Sequence, residues 1–413
     1  MRICMMTSLQ SCTGSSTARS PSSVFSENAY DDSPAVLRAW ELGSAAASRC
    51  STRDSAISAS SNNDSPCAAP PRRLLSAVPR TPVPALPTAT ELEVQATPVV
   101  LHAYAKPSSF EAEILSCVQQ HGRFEVLSTL GASTFGFVFL AIDGRSNSKV
   151  AVKVSHMALM RRVYEANHIR ADADVIESPI LEAKLMSLLS SSSSCGRHPN
   201  VLSLEDEFFS HDYTLHWLVM EYAPNKDLFE YIGSRGHPHP HLPPEETKAL
   251  MTQFIRGLQH IHSNGICHLD LSLENALLGE HNTLKICDFG VARKLPANNA
   301  LFPPLHVRSK RSYMAPEVLR RLPFDGRKAD VFSLGVALFC MLVGYKPFEY
   351  ADKSQLSYCL IASGRVNEYL RRCRSPIVLS ADAHDLISGM LCPEYRRYSL
   401  DQVAAHAFFN CKA

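Results

Sequence analysis

The sequence predicts an α+β fold in which a disordered tail precedes a β-rich region and then a mostly helical region. Three observations lead to this prediction. Residues 1–105 are dominated by Ser, Ala, Pro and Thr and show no sustained hydrophobic periodicity. Strand-like apolar runs are concentrated in residues 106–222, whereas stretches with helical spacing dominate residues 223–413. Strands first and helices afterwards is a pattern typical of α+β proteins.

The tail has too little apolar surface to offset the entropy lost on ordering it, so we expect it to be disordered. Up to Ser26 it contains no acidic residue, and Arg2 and Arg19 lie among many Ser and Thr residues. That composition also permits an organellar transit peptide, although no amphipathic helix supports one. We prefer the interpretation of a phosphorylatable tail.

Composition limits the partners and the location. The 413-residue chain has a net charge of +1, which gives no electrostatic reason to expect a nucleic acid or a membrane surface as partner. Its thirteen cysteines include no C-x-x-C pair, so we expect reduced thiols and a cytoplasmic location, with the nucleus as the alternative. The longest apolar run, Val331–Val343, is too short to span a bilayer and predicts a buried helix.

A short helix is predicted ahead of the first strand. Ser108 and Glu111 have the spacing of a capping box, and apolar residues follow at helical spacing. These apolar residues are Phe110, Ile114, Leu115 and Val118. We expect the helix to pack on the strands that follow it.

A glycine-bounded hairpin and a lysine-bearing strand come next. Gly131 and Gly136 flank the turn between two strand-like runs, and glycine lets backbone N–H groups approach a phosphate closely. Alone this pattern is weak evidence, because most such hairpins only connect strands. The next strand, residues 150–154, carries Lys153 within a buried apolar alternation. A buried ammonium group is costly unless paired, so a phosphate and a carboxylate are expected beside it.

The carboxylate is expected from the following helix. Pro179 begins a stretch with leucines on one face, and Glu182 lies beside that face. Glu177 is the alternative partner, but it precedes the proline and is expected outside the helix. Residues 155–178 are expected to form a surface insertion.

The run from His268 to Asn275 places a carboxylate, Asp270, five residues before a carboxamide in an otherwise apolar stretch. Core packing gives little reason for such a pair. Phosphoryl transfer uses both groups, a carboxylate to accept the proton of the attacking hydroxyl and an amide oxygen to bind a metal. A second carboxylate, Asp288, opens an Asp-Phe-Gly turn shortly afterwards.

These motifs resemble, in order and spacing, those of eukaryotic protein kinases of the Ser/Thr type. The resemblance spans about residues 120–410 and includes the V-A-V-K stretch ending at Lys153 and the A-P-E sequence ending at Glu317. It is closest to the calcium/calmodulin-dependent and AMP-activated group. It implies a bilobal kinase fold, with a leading helix and a small β-rich lobe in residues 106–222 and a larger, mostly helical lobe in residues 223–413.

The resemblance also implies an enzyme that uses ATP and Mg²⁺ to phosphorylate Ser or Thr hydroxyls of protein substrates, acting as a monomer. The resemblance implies that Asp270 is the catalytic base. Lys153 and Glu182 form the ion pair that binds phosphate. The implied metal ligands are Asn275 and Asp288. Nucleotide contacts are implied for Gly131, Ser133, Gly136, Val138, Ala151, Lys153, Met220, Glu221, Ala223, Asp227 and Leu277.

Two structural contacts are implied as well. Asp330 should hold the backbone of the catalytic loop. Glu317 should pair with Arg397 or with its neighbour Arg396 near the end of the chain.

The catalytic loop departs from the family pattern at two positions. Leu269 replaces an arginine that usually pairs with a phosphate on the activation segment, so we hypothesise that this segment needs little or no phosphate to become ordered. Ser272 replaces a lysine, and Lys310 stands where a threonine is usual. We hypothesise that these two exchange roles, so that Lys310 supplies the catalytic cation. The alternative is a solvent-facing Lys310 in a basic run with Arg308 and Arg311.

Two other classes of protein compete with an active protein kinase. A pseudokinase, which binds nucleotide or serves as a scaffold, is favoured by Ser133 at the middle glycine position, by Leu269 and by Ser272. The retained lysine, carboxylates and asparagine argue against it. A small-molecule kinase with a similar core typically lacks the A-P-E sequence.

Overall fold

A computed structural model of the chain describes residues 108–166, 174–191, 197–235 and 240–410. The tail predicted for residues 1–105 lies outside these ranges. Within them, an antiparallel sheet is followed by a mostly helical part, and the predicted α+β fold is confirmed.

The amino-terminal lobe contains a five-stranded sheet and three helices. Its elements are α1 (Ser108–Gln120), β1 (Phe124–Ser133), β2 (Gly136–Asp143), β3 (Ser148–His156), α2 (Met157–Ala166), β4 (Asp174–Val175), α3 (Pro179–Ser191), β5 (Leu204–Phe209) and β6 (Leu215–Glu221). The sheet order is β1-β2-β3-β6-β5, with antiparallel neighbours throughout. Ile114 and Val118 of α1 are buried in the same core as Phe124 and Trp217, so the leading helix packs on the sheet as predicted.

The hairpin between β1 and β2 is tight and lies against its neighbours. Ser133 pairs with Gly136 across the turn. A Cβ at Gly136 would lie 1.7 Å from the carbonyl oxygen of Val154 in β3, so only glycine permits this approach. At the tip, Phe135 is buried and its ring centroid lies 6.5 Å from that of Tyr164 in α2. The tip is therefore held down on the lobe.

The carboxyl-terminal lobe is mostly helical and contains short strand pairs. Its elements are α4 (Leu228–Gly233), α5 (Pro244–Ser263), β7 (Ile266–Cys267), β8 (Ala276–Leu278), β9 (Leu284–Ile286), β10 (Arg293–Lys294), β11 (His306–Val307), α6 (Pro316–Leu319), α7 (Gly326–Val343), α8 (Leu356–Ala362), α9 (Val366–Arg372), α10 (Ala381–Met390), α11 (Leu400–Ala404) and α12 (Ala407–Asn410). The strand pairs are β7 with β10 and β8 with β9.

Helix α7 forms the centre of this lobe. Asp325 caps its first turn by accepting N–H bonds, and Gly344 ends it with a positive φ of 89°. Every residue of the predicted apolar run Val331–Val343 is buried in this helix, which confirms the prediction. Across the ranges the structure describes, no helix combines the length and apolarity needed to cross a membrane.

The segment between β3 and α3 is more than the surface insertion predicted from the sequence. Its helix α2 lies beside the hairpin tip, and β4 forms a parallel pair with β11 of the carboxyl-terminal lobe. The prediction was wrong because Val175 and Ile176 are buried apolar side chains, which tie the segment to the body of the protein.

Candidate active site

The sheet and helix α3 bring the predicted lysine and glutamate together. Lys153 lies in β3, paired with Leu218 of the neighbouring strand β6. Its Nζ is 2.6 Å from Oε2 of Glu182, which belongs to the first turn of α3. Both side chains are buried. The ion pair predicted between strand and helix is present.

Lys153 has a second carboxylate partner, Glu177, whose Oε1 lies 3.2 Å from Nζ. Glu177 lies outside α3, as expected, but the short connection to Pro179 keeps it beside the lysine. Treating Glu177 and Glu182 as alternatives was therefore wrong, since both contact the same ammonium group. The sequence signal for this contact is only an acidic residue just ahead of the helix.

The charge around Lys153 is predominantly negative. One carboxylate oxygen each from Glu177, Glu182 and Asp288 lie within 4.8 Å of one another. Burial raises the pKa of Glu182 to about 7, against the lowering effect of Lys153. Burial acts to lower the pKa of Lys153, but the carboxylates outweigh it and hold that pKa well above its usual value. Lys153 therefore stays protonated, with carboxylate groups on several sides of its ammonium group.

Asp330 of α7 fixes the backbone of the catalytic loop, residues 268–275. The N–H groups of His268 and Leu269 each donate to a carboxylate oxygen of Asp330 at 2.8 Å. Leu269 has a positive φ of 62°, which is unfavourable for leucine and is held in place by these bonds. The contact implied for Asp330 is thus found.

Asp270 and Asn275 are joined within the loop. The side-chain Nδ2 of Asn275 donates to the backbone oxygen of Asp270 at 2.7 Å and to its Oδ2 at 2.9 Å. Both amide hydrogens are therefore used inside the loop, which leaves Oδ1 of Asn275 as an acceptor. Burial raises the pKa of Asp270, and the nearby Lys310 opposes the rise. A carboxylate with a raised pKa is a better proton acceptor.

Lys310 belongs to the activation segment, residues 288–317, and its side chain contacts the catalytic loop. Its Nζ lies 3.0 Å from Oγ of Ser272, 3.4 Å from Oδ1 of Asn275 and 3.6 Å from Oδ2 of Asp270. Its backbone N–H also donates to Oδ1 of Asp270 at 3.2 Å. The side chain is 30% exposed. These contacts do not fit a lysine that faces solvent, and they place the ammonium group where the exchange hypothesis requires it.

Asp288 interacts electrostatically with both lysines of the site, Lys153 and Lys310. Its φ of 67° is positive, and its Oδ1 accepts the N–H of Gly290 at 3.4 Å. The next side chain, Phe289, is fully buried with its ring centroid 5.0 Å from that of His268. Burial alone would raise the pKa of Asp288, but Lys153 and Lys310 lower it, so the carboxylate stays ionised.

The residues implied for the nucleotide base lie on adjoining strands. Ala151 of β3 pairs in register with Met220 of β6. Val138 of β2 pairs with Lys153, and across the hairpin with Gly131. Ala151 and Met220 are buried, whereas Val138 is partly buried against the same core. Ser133 and Gly136 complete the hairpin.

The connection between the lobes follows β6. Glu221 ends that strand, Ala223 follows it, and Leu277 of β8 forms an isolated bridge with Asp227. Asp227 also caps α4, because its Oδ1 accepts the N–H of Glu230 at 2.7 Å. The carboxylate implied for ribose binding therefore already has a structural role, which sequence reasoning missed although the residue begins a helix.

The activation segment is held at several points. β11 pairs with β4, the N–H of Arg308 donates to the Val175 oxygen at 2.8 Å, and Nδ1 of His306 lies 3.1 Å from Oδ1 of Asp174. The end of the segment is fixed by a buried ion pair of 2.6 Å between Glu317 and Arg397. Of the two arginines considered, Arg397 is the partner.

The oxygen donors of the site fit a magnesium ion and a nucleotide phosphate chain. Asp288 is ionised. The amide hydrogens of Asn275 are bound within the loop, and its Oδ1, which has two lone pairs, receives one hydrogen bond from Lys310 Nζ at 3.4 Å. Hard carboxylate and amide oxygens are the donors that Mg²⁺ prefers. Lys153 and the glycine-bounded hairpin offer cationic and backbone donors to phosphates.

The geometry agrees with comparisons to known proteins. Residues 124–409 match the protein kinase domain family. The chain is 32% identical over 295 residues to serine/threonine-protein kinase SAPK3 of Oryza sativa subsp. indica, covering 70% of this chain and 77% of that protein. It is 31% identical over 291 residues to CBL-interacting protein kinase 16 of Oryza sativa subsp. japonica, covering 70% and 57% of the two chains. The match to probable serine/threonine-protein kinase MARK-B of Dictyostelium discoideum is 27% over 299 residues, or 71% and 38%. The chain belongs to the serine/threonine protein kinases of the eukaryotic protein kinase superfamily.

Proposed function

We propose that the protein is an active serine/threonine protein kinase, which transfers the γ-phosphoryl group of ATP, with Mg²⁺, to hydroxyl groups of protein substrates. The observation that carries the proposal is the convergence of Lys153 with Glu182, of Asp270 with Asn275, and of the ionised Asp288. Degenerate kinases commonly lose at least one of these groups, whereas this chain retains all five.

Each retained residue has a defined part in the proposed reaction. Asp270 accepts the proton of the substrate hydroxyl. The oxygen of that hydroxyl forms a bond to the γ-phosphorus, while the bond between the γ-phosphorus and the oxygen that leaves with ADP breaks. Lys153 binds phosphate oxygens, and Glu182 holds it in position. Magnesium, held by Asn275 and Asp288, would neutralise phosphate charge.

We propose further that Lys310 supplies the cation that Ser272 cannot. The distance of 3.0 Å between Lys310 Nζ and Ser272 Oγ supports this, as does the proximity of the same ammonium group to Asp270. A cation placed before the reaction stabilises charge that develops on the transferred phosphoryl group.

For the substrate, we propose a protein whose phosphorylated Ser or Thr follows basic residues. Glu274 lies in the catalytic loop and Asp227 at the start of α4, and both add negative charge near the expected peptide groove. From the cysteine composition we propose a cytoplasmic location, and from the resemblance to protein kinases we propose a monomer.

A degenerate peptide library tests the proposal. With magnesium and ATP, we expect wild-type protein to phosphorylate Ser or Thr peptides with basic residues before the acceptor, and Asp270→Asn to give only background. Nucleotide binding without any peptide phosphorylation by the wild type would instead identify a pseudokinase.

A further inference from the structure

Among the residues that the structure describes, Glu177 is the carboxylate near Lys153 that the proposed reaction does not use. Its Oε1 lies 3.2 Å from Lys153 Nζ, and its Oε2 accepts a hydrogen bond from Oγ1 of Thr134. Thr134 lies in the turn of the hairpin between β1 and β2. Glu177 therefore links the lysine to the tip of the hairpin, across the space in which phosphates would contact both.

The position of Glu177 is fixed by contacts with two other segments, helix α2 and the turn at residues 288–290. The hydroxyl of Tyr164 in α2 donates to its backbone oxygen at 3.1 Å. The N–H of the next residue, Ser178, donates to the Gly290 oxygen at 2.9 Å. The Cγ of Glu177 lies against Gly290, and a Cβ added to that glycine would be 2.5 Å from this Cγ. The side chain is only 15% exposed, so this carboxylate is built into the site.

The contacts of Glu177 are ones that a phosphate would need. Lys153 can donate three hydrogen bonds. It donates one to Glu182, and Glu177 lies beside the same ammonium group as an ion-pair partner at 3.2 Å. Glu177, Glu182 and Asp288 place three carboxyl groups around Lys153. Even with Lys310 counted beside Asp288, the acidic groups are in excess. A phosphate brought next to Lys153 would add to that excess.

We propose that Glu177 competes with nucleotide phosphates for Lys153 and so sets the affinity of the site for nucleotide. This inference rests on the proposed nucleotide site and adds a role for the segment between β3 and α3. Glu182, the shorter contact at 2.6 Å, keeps the lysine in place. The backbone of Glu177 stays fixed, and only its carboxylate moves away from the ammonium group when phosphate binds.

Calorimetric titration with ADP and with adenosine, both in EDTA, tests the proposal. EDTA removes divalent metal ions, because Glu177 could otherwise change the nucleotide affinity by binding a metal ion. Glu177→Gln keeps the shape and the acceptor oxygen but removes the charge, so we expect ADP to bind about tenfold tighter, which corresponds to ~1.4 kcal/mol. Adenosine has no phosphate and should bind wild type and variant equally. Glu165→Gln, an exposed glutamate of α2, is the matched control and should leave both affinities unchanged.

The other outcomes separate this proposal from a structural effect and from a failure of the nucleotide site. Unchanged or weaker ADP binding by Glu177→Gln would overturn it, and so would a change in adenosine affinity as large as that for ADP, because that pattern indicates a structural effect. If the wild type bound adenosine but no ADP, the competing role of Glu177 would be supported only if Glu177→Gln gained ADP binding, and overturned otherwise. If the wild type bound neither ligand, the proposed function would fail first and this inference with it.

Discussion

Lys310 shows how a charge can be supplied from a distant part of the chain. Ser272, in the catalytic loop, bonds to the ammonium group of a residue that lies 38 positions later. The same ammonium group contacts Asn275 and Asp270, so it lies among the groups that we propose carry the reaction. Burial acts to lower the pKa of Lys310, but Asp270, Glu274 and Asp288 raise it overall, so the cation is retained.

At the residue scale we predict that Lys310→Ala lowers kcat by about 100-fold or more, since one preorganised donor is worth that much in a dry site. Arg308→Ala, two residues away in the same basic run, should change kcat by no more than about threefold. The double variant Ser272→Lys with Lys310→Thr restores the arrangement usual in the family and should recover most of the loss. Steady-state phosphorylation of one peptide measures all three. Equal, mild effects of Lys310→Ala and Arg308→Ala would remove the exchange hypothesis.

At the scale of elements, the pairing of β4 with β11 gives the activation segment an anchor that needs no phosphate. It joins parts of the chain 132 residues apart through the His306–Asp174 contact and buries Val175 and Val307. The arginine that would pair with a phosphate is replaced by the buried Leu269. The hydroxyl groups between Asp288 and Glu317 are limited to Ser309, Ser312 and Tyr313.

Because Ser312 and Tyr313 are buried, Ser309 is the natural position for an activating phosphate in this segment. We predict that Ser309→Ala, expressed without other kinases, retains kcat within about twofold of wild type, since ordering comes from β4. The measurement is peptide phosphorylation after phosphatase treatment, with mass spectrometry to verify that the segment is unmodified. A protein that is inactive until this segment is phosphorylated would contradict the prediction.

The pairing itself can be tested at Val175, which is 2% exposed. We predict that Val175→Asp lowers kcat at least about tenfold, because an unpaired buried charge is costly and the pair must separate to hydrate it. Hydrogen exchange should increase in residues 302–312. The same substitution at Val378, which is 93% exposed, is the control and should leave both quantities unchanged. Normal protection of the activation segment in Val175→Asp would show that β4 does not order it.

At the scale of the whole molecule, charge pairs hold the amino-terminal lobe together. Arg123, just ahead of β1, donates to both carboxylate oxygens of Asp143 at 2.9 and 2.8 Å and also pairs with Asp206 of β5. Side-chain exposure is 9% for Arg123 and 5% for Asp143. The hydrogen bonds from Arg123 lower the pKa of Asp143 below its usual value, although burial opposes them.

This lowered pKa predicts a pH-dependent stability. A carboxyl group with a folded pKa below the unfolded value of about 3.9 stabilises the fold above that pH, and the contribution is lost as pH falls through the folded pKa. Asp143→Asn should therefore lower the unfolding free energy by about 1–3 kcal/mol at pH 7. The difference from wild type should shrink on acidification below about pH 4. Urea unfolding at several pH values measures it; a difference that grows as the pH falls would contradict this account.

Much of the site could be predicted from the sequence because its parts lie at fixed spacing within single motifs. Asp270 and Asn275 are separated by five residues, and Lys153 interrupts a buried strand, so chemistry alone singled them out. The contact between Lys310 and Ser272 was predicted from the positions that the resemblance to protein kinases gives these two residues.

The reason is different for two features that could not be predicted, the contact of Glu177 and Glu182 with the same lysine and the β4–β11 pair. Both depend on how a segment of irregular length folds back across the protein, and neither periodicity nor spacing reports that. Asp227 shows a third case, since one carboxylate both caps α4 and lies at the expected ribose position. Local pattern identifies a residue type, whereas its competing contacts are visible only in three dimensions.

The most direct test of the account is a paired measurement of phosphoryl transfer and nucleotide affinity on wild type and Asp270→Asn. We predict that the wild type, with magnesium and ATP, phosphorylates a Ser or Thr peptide and that Asp270→Asn binds ATP as tightly but transfers about 10²–10⁴-fold more slowly. Transfer at equal rates by both proteins, or ATP binding without any transfer by the wild type, would contradict the claim that this cluster is a working catalytic site.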